Sequence, residues 1–271
     1  MKQGFPFLFF AGLCVSASIS VACIQTVLIE APKDPRQLPS DIFKQHGRVE
    51  TLSLALEMPV MGGGIIKLPP KKPKVEAQGD YASFIKAYEA DRAKSHTFAE
   101  RNDYGASLLF AGRFAEAVAV LVELEKDCPG QYATASNLGT AYELTGDLTK
   151  ALEWLNAGIL RNTKSHDSTE WLHVAIVEAK LELKQNPSWL VGHSVLDGHR
   201  ELPTENLQRA LEFQLNERLY FIHEDDPVMC DLFYEAALVA TDSAKKAYFL
   251  RQAPLFGSIR DEQLRKLKES L

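Results

Sequence analysis

Histidines and acidic residues gather between residues 186 and 227, where a metal-dependent site could form. His193 and His199 lie on either side of Asp197, and the acidic run His223-Glu224-Asp225-Asp226 follows. Imidazole and carboxylate groups bind divalent metals. However, the spacing of the two histidines does not place them on one helix face, and the acidic run lacks the D-x-[DN]-x-[DN]-G pattern of a calcium loop. We therefore predict a solvated loop with no metal or cofactor, and we keep a metal-dependent enzyme as the less favoured alternative.

The other reactive residue types also lack a catalytic setting. Cys14, Cys23, Cys128 and Cys230 have no C-x-x-C spacing, which argues against redox and zinc chemistry. Cys128 and Cys230 could pair in an oxidising compartment, but two buried free thiols are the favoured interpretation. Three glycines at 62–64 lack the spacing of a phosphate loop. No acid, base and nucleophile stand together, so no catalytic residue is predicted.

The composition excludes several classes of protein. Of the 271 residues, 46% are hydrophobic and 24% are charged, which is ordinary for a globular protein. The formal net charge is −6 and no part of the chain is strongly basic, so a protein that neutralises nucleic-acid phosphates is not expected. Only the N-terminal stretch is apolar enough to enter a membrane, which excludes a multi-span membrane protein.

The first residues predict an export signal. Lys2 precedes an apolar run at 5–15, and Ser20-Val21-Ala22 fits the small-residue rule for signal-peptide cleavage. A signal peptide is therefore predicted at residues 1–22, which makes the protein exported and either periplasmic or membrane-tethered. Cleavage there would make Cys23 the first residue and a site of lipidation, as in the lipobox of bacterial lipoproteins, although Ser stands where that motif usually has Leu. Cleavage without lipidation and an uncleaved anchor are the alternatives.

The composition changes twice after the signal. Seven of the thirteen prolines lie between residues 31 and 73, so residues 23–77 are predicted to be a Pro/Gly-rich extended tether. After that, apolar residues recur with helical spacing, at i, i+3, i+4 and i+7 from Tyr81. The first helix is predicted to end near His96, and helical patterns continue almost to the last residue. Residues 78–271 are therefore predicted to form an all-α domain.

Small residues recur at an offset of 34 residues. The aligned pairs are Gly105 and Gly139, Gly112 and Gly146, Ala117 and Ala151, and Leu121 and Leu155. Glycine and alanine at such positions let two helices cross closely, and a glycine in the connecting turn adopts a positive φ at low cost. The pattern predicts two helix pairs built in the same way, at residues 98–131 and 132–165.

These two segments resemble tetratricopeptide (TPR) repeats. The family's positions are held in 132–165 by Leu138, Gly139, Tyr142, Gly146, Ala151 and Leu155, and in 98–131 by Gly105, Leu108, Gly112, Ala117, Leu121 and Pro129. The sequence departs from the family at Arg101 and Ala135, where Trp is usual, and at Leu124 and Gly158, where Ala is usual. The resemblance implies a right-handed superhelical solenoid of antiparallel, TPR-like helix pairs.

Helical patterns continue beyond the two repeats but lose the repeat phase. A degenerate pair is predicted at 167–218, where Asp167 is expected to cap the first helix with Glu170 three residues later. Another degenerate pair is predicted at 228–257. A charged C-terminal helix at 260–271 would give the stack a polar end.

The TPR resemblance also implies a concave groove lined by fixed positions of the first helix in each pair. The predicted partner-binding residues are Asn102, Ala106, Leu109, Phe110, Ala133, Ser136, Asn137, Thr140 and Glu143, with Ala99 and Leu144 beside them. This lining could accept an extended peptide or a helix. No lysine or arginine joins Asn137, so the binding mode that TPR proteins use for acidic C-terminal tails is not expected.

These features together predict a non-enzymatic protein–protein interaction or scaffold module of the cell envelope. It would bind a peptide or a partner protein in the groove. It would contact the membrane only through its N-terminal signal, an anchor or a lipidated Cys23. A structural subunit of an envelope assembly is the alternative, and no nucleic-acid partner is predicted.

Overall fold

The structure, a computed structural model, describes residues 81–91, 95–222 and 225–269. Within these residues the chain is all-helical and has no strand, which confirms the predicted fold class at this level. The ten helices are α1 (Tyr81–Ala90), α2 (Phe98–Phe110), α3 (Phe114–Asp127), α4 (Tyr132–Thr145), α5 (Leu148–Arg161), α6 (Glu170–Gln185), α7 (Thr204–Arg218), α8 (Pro227–Val239), α9 (Ser243–Gln252) and α10 (Asp261–Glu269). The predicted signal peptide, tether, lipidation site at Cys23 and residues His223 and Glu224 lie outside the described residues.

Helices that follow one another in the chain pack against one another from α1 to α6, and again from α7 to α9. The pairs α2–α3, α4–α5 and α8–α9 therefore form as the sequence analysis expects. The pair expected at 167–218 does not form in the same way. Its helices α6 and α7 have little contact with each other, because α6 packs mainly on α5 and α7 packs mainly on α8.

The two 34-residue segments share one helix-crossing contact. A Cβ atom on Gly105 in α2 would lie 2.6 Å from Leu121 Cδ2 in α3, and a Cβ atom on Gly139 in α4 would lie 2.5 Å from Leu155 Cδ2 in α5. Both leucines are fully buried, as are Ala117 and Ala151 in the same helices. The small residues are therefore needed where the paired helices cross, as the repeat pattern predicts.

The turns inside the two pairs are also equivalent. Gly112 has a φ of +73° and Gly146 a φ of +85°, a region that is inexpensive only for glycine. The amide after each glycine closes the same bond: Arg113 donates to the carbonyl of Leu108 at 2.8 Å, and Asp147 donates to that of Tyr142 at 3.0 Å. This bonding is a Schellman-type helix end, and it confirms the predicted role of the two glycines.

The predicted end of the first helix is wrong. Helix α1 ends at Ala90, not near His96, because Thr97 takes an extended backbone and begins α2. Its hydroxyl accepts from the amide of Glu100 at 3.2 Å, and the Glu100 carboxylate accepts from the amide of Thr97 at 2.8 Å. This reciprocal capping box restarts the helix, and His96 stacks on Tyr88 with ring centroids 4.0 Å apart.

The predicted cap of α6 is also wrong. Thr169, not Asp167, is the N-cap residue, and it makes no side-chain cap bond. The Glu170 carboxylate instead contacts the His166 imidazole, so it is not available to the helix terminus. The N-cap of α8 is Asp226, whose side chain accepts from the amides of Val228 and Met229. Helix α8 begins at Pro227, one residue before the predicted start of the pair at 228.

Candidate partner-binding site

Most of the predicted groove residues are buried inside the protein. Seven of the nine are buried, and only Phe110 and Thr140 are partly exposed. Asn137 donates from Nδ2 to Asn102 Oδ1 at 3.0 Å, which ties α4 to α2, and Leu109 belongs to the apolar core. The structure brings Phe110, Thr140, Glu143 and Leu144 towards a common partner, and these four residues are called the Glu143 face below.

The Glu143 face is covered by residues 213–222 of the same chain, which are called the docked segment. They comprise the last turns of α7 and the residues that follow it. Phe221 stacks on Phe110 with ring centroids 5.2 Å apart, and Tyr220 meets Phe110 edge-on at 5.6 Å. The face that the sequence predicts to be open for a partner is therefore occupied by a segment about seventy-five residues further along the chain.

Glu143 lies at the centre of this contact and gathers three cationic side chains. Arg218 Nη1 donates to its Oε1 at 2.6 Å and Arg218 Nη2 donates to its Oε2 at 3.3 Å. Lys180 Nζ donates to Oε1 at 2.8 Å, and His173 Nε2 lies 2.7 Å from Oε2. The Glu143 side chain is 3% exposed. Since buried charges are tolerated only when they are paired, these contacts explain how Glu143 is accommodated.

The charged cluster continues from His173 to Glu170 and His166. His173 Nδ1 lies 3.5 Å from Glu170 Oε1, and the other Glu170 oxygen contacts His166 Nδ1. His166 Nε2 is 3.0 Å from the hydroxyl of Tyr132, and its ring stacks on Phe213 of the docked segment at 5.2 Å. The contacts thus run from Glu143 in α4 to His173 and Glu170 in α6. They continue to His166 in the turn Ser165–Ser168 and return to α4 at Tyr132.

The backbone is unusual where it positions His166. Both His166 and Ser168 have a positive φ, at +47° and +60°, in the 3₁₀ turn Ser165–Ser168. Non-glycine residues adopt this region at a cost, and such outliers concentrate at functional positions. The cost is offset here by the contacts that the imidazole makes with Glu170 and Tyr132.

The contacts shift the pKa values of the buried groups in opposite directions. Burial alone would raise the pKa of Glu143, but the charges of Arg218 and Lys180 and the bond to His173 hold it well below its usual value. Burial would also raise the pKa of Glu170, but His166 and His173 lower it overall. Burial would lower the pKa of His173, yet its bonds to Glu143 and Glu170 raise it. The favoured state is therefore ionised carboxylates beside a protonated imidazole.

A small pocket opens beside the cluster, between α4 and the docked segment. Its volume is about 30 Å³, and it is lined by Thr140, Glu143, Leu144, His166, His173, Phe213, Gln214, Glu217, Arg218, Phe221 and Ile222. A space of this size holds one or two water molecules and is too small for a metabolite. The arrangement is therefore suited to holding polypeptide side chains, as it does now with Arg218.

Of the charged residues around Glu143, only Glu170 is assigned a role from the sequence, and only as part of a helix cap. The other four are His166, His173, Lys180 and Arg218. Positions 166, 170, 173 and 180 nevertheless share one helical face and form a charged stripe that could have identified them. Arg218 carries no such signal, since only the fold brings it to Glu143.

In the segment 186–227, which carried the metal-enzyme alternative, residues 194–200 are held to α8 by hydrogen bonds and one ion pair. Asp231 accepts from the amide of Val195 at 2.8 Å, and Glu235 accepts from Ser194 Oγ at 2.7 Å and from Arg200. His193 stacks on Trp189 and His199 lies against Trp171. Within the described residues, no three His, Cys, Asp or Glu side chains are grouped so that they could hold a metal ion.

Cys128 and Cys230 are both free, and burial raises the pKa of the Cys230 thiol to about 11. Both thiols are therefore free, as predicted, but only Cys230 is buried, and the prediction of a buried Cys128 is wrong. Among the described helices, none has the length and apolar character needed to span a bilayer.

Comparisons with known proteins do not assign the chain to a family. No protein-family model, no curated protein and no solved structure gives a significant match. The functional argument therefore rests on the helix pairs, on the Glu143 face and on the segment that covers it.

Proposed function

We propose that this chain is a TPR-like helical scaffold that binds a peptide or a partner protein on the Glu143 face. The main support is that this face already receives a polypeptide segment, with a buried arginine–carboxylate contact at its centre and aromatic stacking at its edge. A surface that holds one short segment in this way has the chemistry needed to hold another.

The arrangement of the helices also supports a TPR-like solenoid. The pairs α2–α3 and α4–α5 share the same glycine–leucine crossing and the same glycine turn at the repeat spacing. Repetition of one supersecondary unit is the way in which solenoids build extended binding surfaces. The superhelix is proposed for residues 98–165, and the helices from α6 onwards are proposed to cap it.

We further propose that the scaffold works in the cell envelope. The support comes from the sequence alone, namely the apolar stretch at 5–15, the small residues before Cys23 and the proline-rich residues that follow. An exported protein of this kind would place its helical domain in the periplasm, either released or tethered through a lipidated Cys23 or an uncleaved anchor.

Site-specific photo-crosslinking in intact cells tests the proposed function. A photoreactive amino acid at Thr140 would lie at the partly exposed rim of the pocket. The matched control places it at Lys126, an exposed position at the end of α3. We expect the Thr140 protein, but not the Lys126 protein, to form an adduct with a partner that mass spectrometry can identify.

Three other results would contradict this proposal. Equal adducts at both positions would show that the Glu143 face has no special part in binding. An adduct only with a second copy of the chain would favour the envelope-assembly alternative. Recovery of all the protein from the cytoplasm would remove the envelope part of the proposal.

A further inference from the structure

We propose that the Glu143 face recognises a helical turn that presents an arginine and, three residues later, an aromatic ring. The docked segment occupies the face until a partner segment of the same kind replaces it. The inference rests on the proposed function and specifies its partner. The recognised chemistry is read from the residues that now occupy the face, Arg218 and Phe221.

The docked segment presents these two side chains through one turn of backbone. The amide of Phe221 donates to the carbonyl of Arg218 at 2.9 Å, and the amide of Ile222 donates to the same carbonyl. Residues three apart in such a turn lie on one side. The guanidinium therefore enters towards Glu143 while the ring of Phe221 stacks on Phe110.

The contact with Glu143 favours arginine over lysine. The guanidinium reaches both carboxylate oxygens from two different nitrogens, at 2.6 Å and 3.3 Å. An ammonium group lacks this planar fork, and Lys180 already bonds to Oε1 as a single point of charge. A partner segment that lacked the arginine would leave Glu143 without its closest cation.

The self-contact is incomplete, which allows it to be replaced. Arg218 Nε and Asn216 Oδ1 are buried without a hydrogen-bond partner among the described residues. A buried polar atom left in this state is unfavourable, and burial of the ion pair itself carries a desolvation penalty. Displacement of the docked segment would expose both atoms to water, where they can form hydrogen bonds, and this offsets part of the cost of opening the face.

Exchange requires only a local movement. Leu215 and Leu219 lie in the apolar cluster shared by α6 to α10, away from the Glu143 face. Phe213, Tyr220 and Phe221 are only partly buried, and the small pocket lies directly beside them. Movement of residues 218–222 would uncover Glu143. Leu215 would keep α7 packed in the apolar cluster, whereas Leu219, which is 2% exposed, would have to leave it.

A labelled peptide tests this inference on the full chain. The peptide copies residues 211–222, with Leu215→Gln and Leu219→Gln so that the side facing away from the receptor is polar. Binding is measured by fluorescence anisotropy to the wild-type protein and to the Phe221→Ala protein, in which the docked segment loses its stacking ring. We expect the variant to bind about tenfold more tightly, because a larger fraction of its faces is open.

Matched controls separate recognition from loss of structure. The Tyr248→Ala protein loses a partly buried ring on α9, far along the chain from the face, and we expect it to bind like the wild type. Peptides that carry Arg218→Gln or Phe221→Ala should bind at least tenfold more weakly than the parent peptide, because each loses one of the two anchors. Equal binding of all three peptides would overturn the inference, and so would no binding to a folded Phe221→Ala protein.

Hydrogen exchange on the wild-type protein keeps the test valid if the variant does not fold. Excess peptide should speed amide exchange in residues 219–222 and slow it in α4. No change in either segment would overturn the inference. A partner crosslinked at Thr140 without peptide binding would refute the inference alone, whereas peptide binding without any crosslinked partner would refute the proposed function.

Discussion

Glu143 shows how a single buried carboxylate can organise a protein interior. It is surrounded by Arg218, Lys180 and His173, and their combined effect keeps its pKa well below the usual value despite burial. Paired charges of this kind add little net stability, because desolvation offsets their attraction. Removal of one partner is costly, however, because the others are left buried without compensation.

Substitution of Glu143 should therefore destabilise the protein strongly. Glu143→Gln keeps the side-chain volume but leaves three cationic groups around a neutral amide, and we expect the free energy of unfolding to fall by about 3 kcal/mol. The measurement is urea denaturation at pH 7. Glu262→Gln is the control, because that carboxylate pairs with Lys266 at the surface, where loss of a pair changes stability by less than about 1 kcal/mol. A loss of unfolding free energy in Glu143→Gln no larger than in the control would contradict the role of Glu143 in compensating the three cationic groups.

The buried acid Asp103 gives the protein a pH dependence of the opposite sign to the usual carboxylate. Burial raises its pKa from 3.8 to about 8, so the folded state holds a proton that the unfolded chain releases above pH 3.8. The raised pKa of His173 likewise makes the folded state less stable as the pH rises above 6.5. Each group therefore favours folding at lower pH, and the unfolding free energy should decrease between pH 6 and pH 8.5.

Denaturation at those two pH values, with the wild type and Asp103→Asn, measures this effect. The variant should lose less stability over the interval, because the asparagine does not titrate. Glu143 and Glu170 have lowered pKa values, so they contribute stability that is lost as the pH falls below 4.5. The wild type should therefore be most stable between pH 4.5 and pH 6. A wild type more stable at pH 8.5 than at pH 6 would contradict the assignment of Asp103.

Two helix pairs depend on glycines at their crossings. Gly139 allows α4 to approach α5 so closely that an added Cβ atom would overlap Leu155. Gly158, in α5, has no atom closer than 3.7 Å to the position of an added Cβ. The two glycines are therefore a matched pair for separating the effect of packing from that of helix propensity.

Alanine should have opposite effects at these two glycines. Gly139→Ala should lower the free energy of unfolding by about 1–2 kcal/mol, because overpacking exceeds the gain in helix propensity. Gly158→Ala should raise it by about 0.5–1 kcal/mol, because only the propensity changes. Thermal and urea denaturation of both variants provide the comparison, and a stabilised Gly139→Ala protein would refute the close crossing.

The sequence was most informative where structure depends on local rules. The glycine turns at 112 and 146 and the small residues at the crossings follow from backbone sterics and helix approach, so their positions were predictable. The capping box at Thr97 is equally local, but apolar spacing alone does not reveal it and extends the predicted α1 beyond its end at Ala90. The partner of α7 was not predictable, because apolar stripes show that a helix is buried without showing what it packs against.

At the scale of the whole molecule, the two larger of the three apolar clusters in the described residues meet across a polar contact. One is formed mainly by α1 to α4 and the other by α6 to α10. The Glu143–Arg218 pair and the Phe110–Phe221 stack join them. The sequence placed Phe110 and Glu143 on one face, but it could not show that this face is covered from within, because the covering residues are distant in the chain.

This contact should couple the two clusters measurably. We expect a double-mutant cycle of Phe110→Ala and Phe221→Ala to give a coupling energy of about 1 kcal/mol, since stacked rings interact beyond their separate burial. The same cycle with Phe110→Ala and Tyr248→Ala should be additive within about 0.5 kcal/mol, because those rings belong to different clusters. Additivity in both cycles would show that the docked segment contributes no stability through Phe110, and coupling in both would show that the variants disturb the fold as a whole.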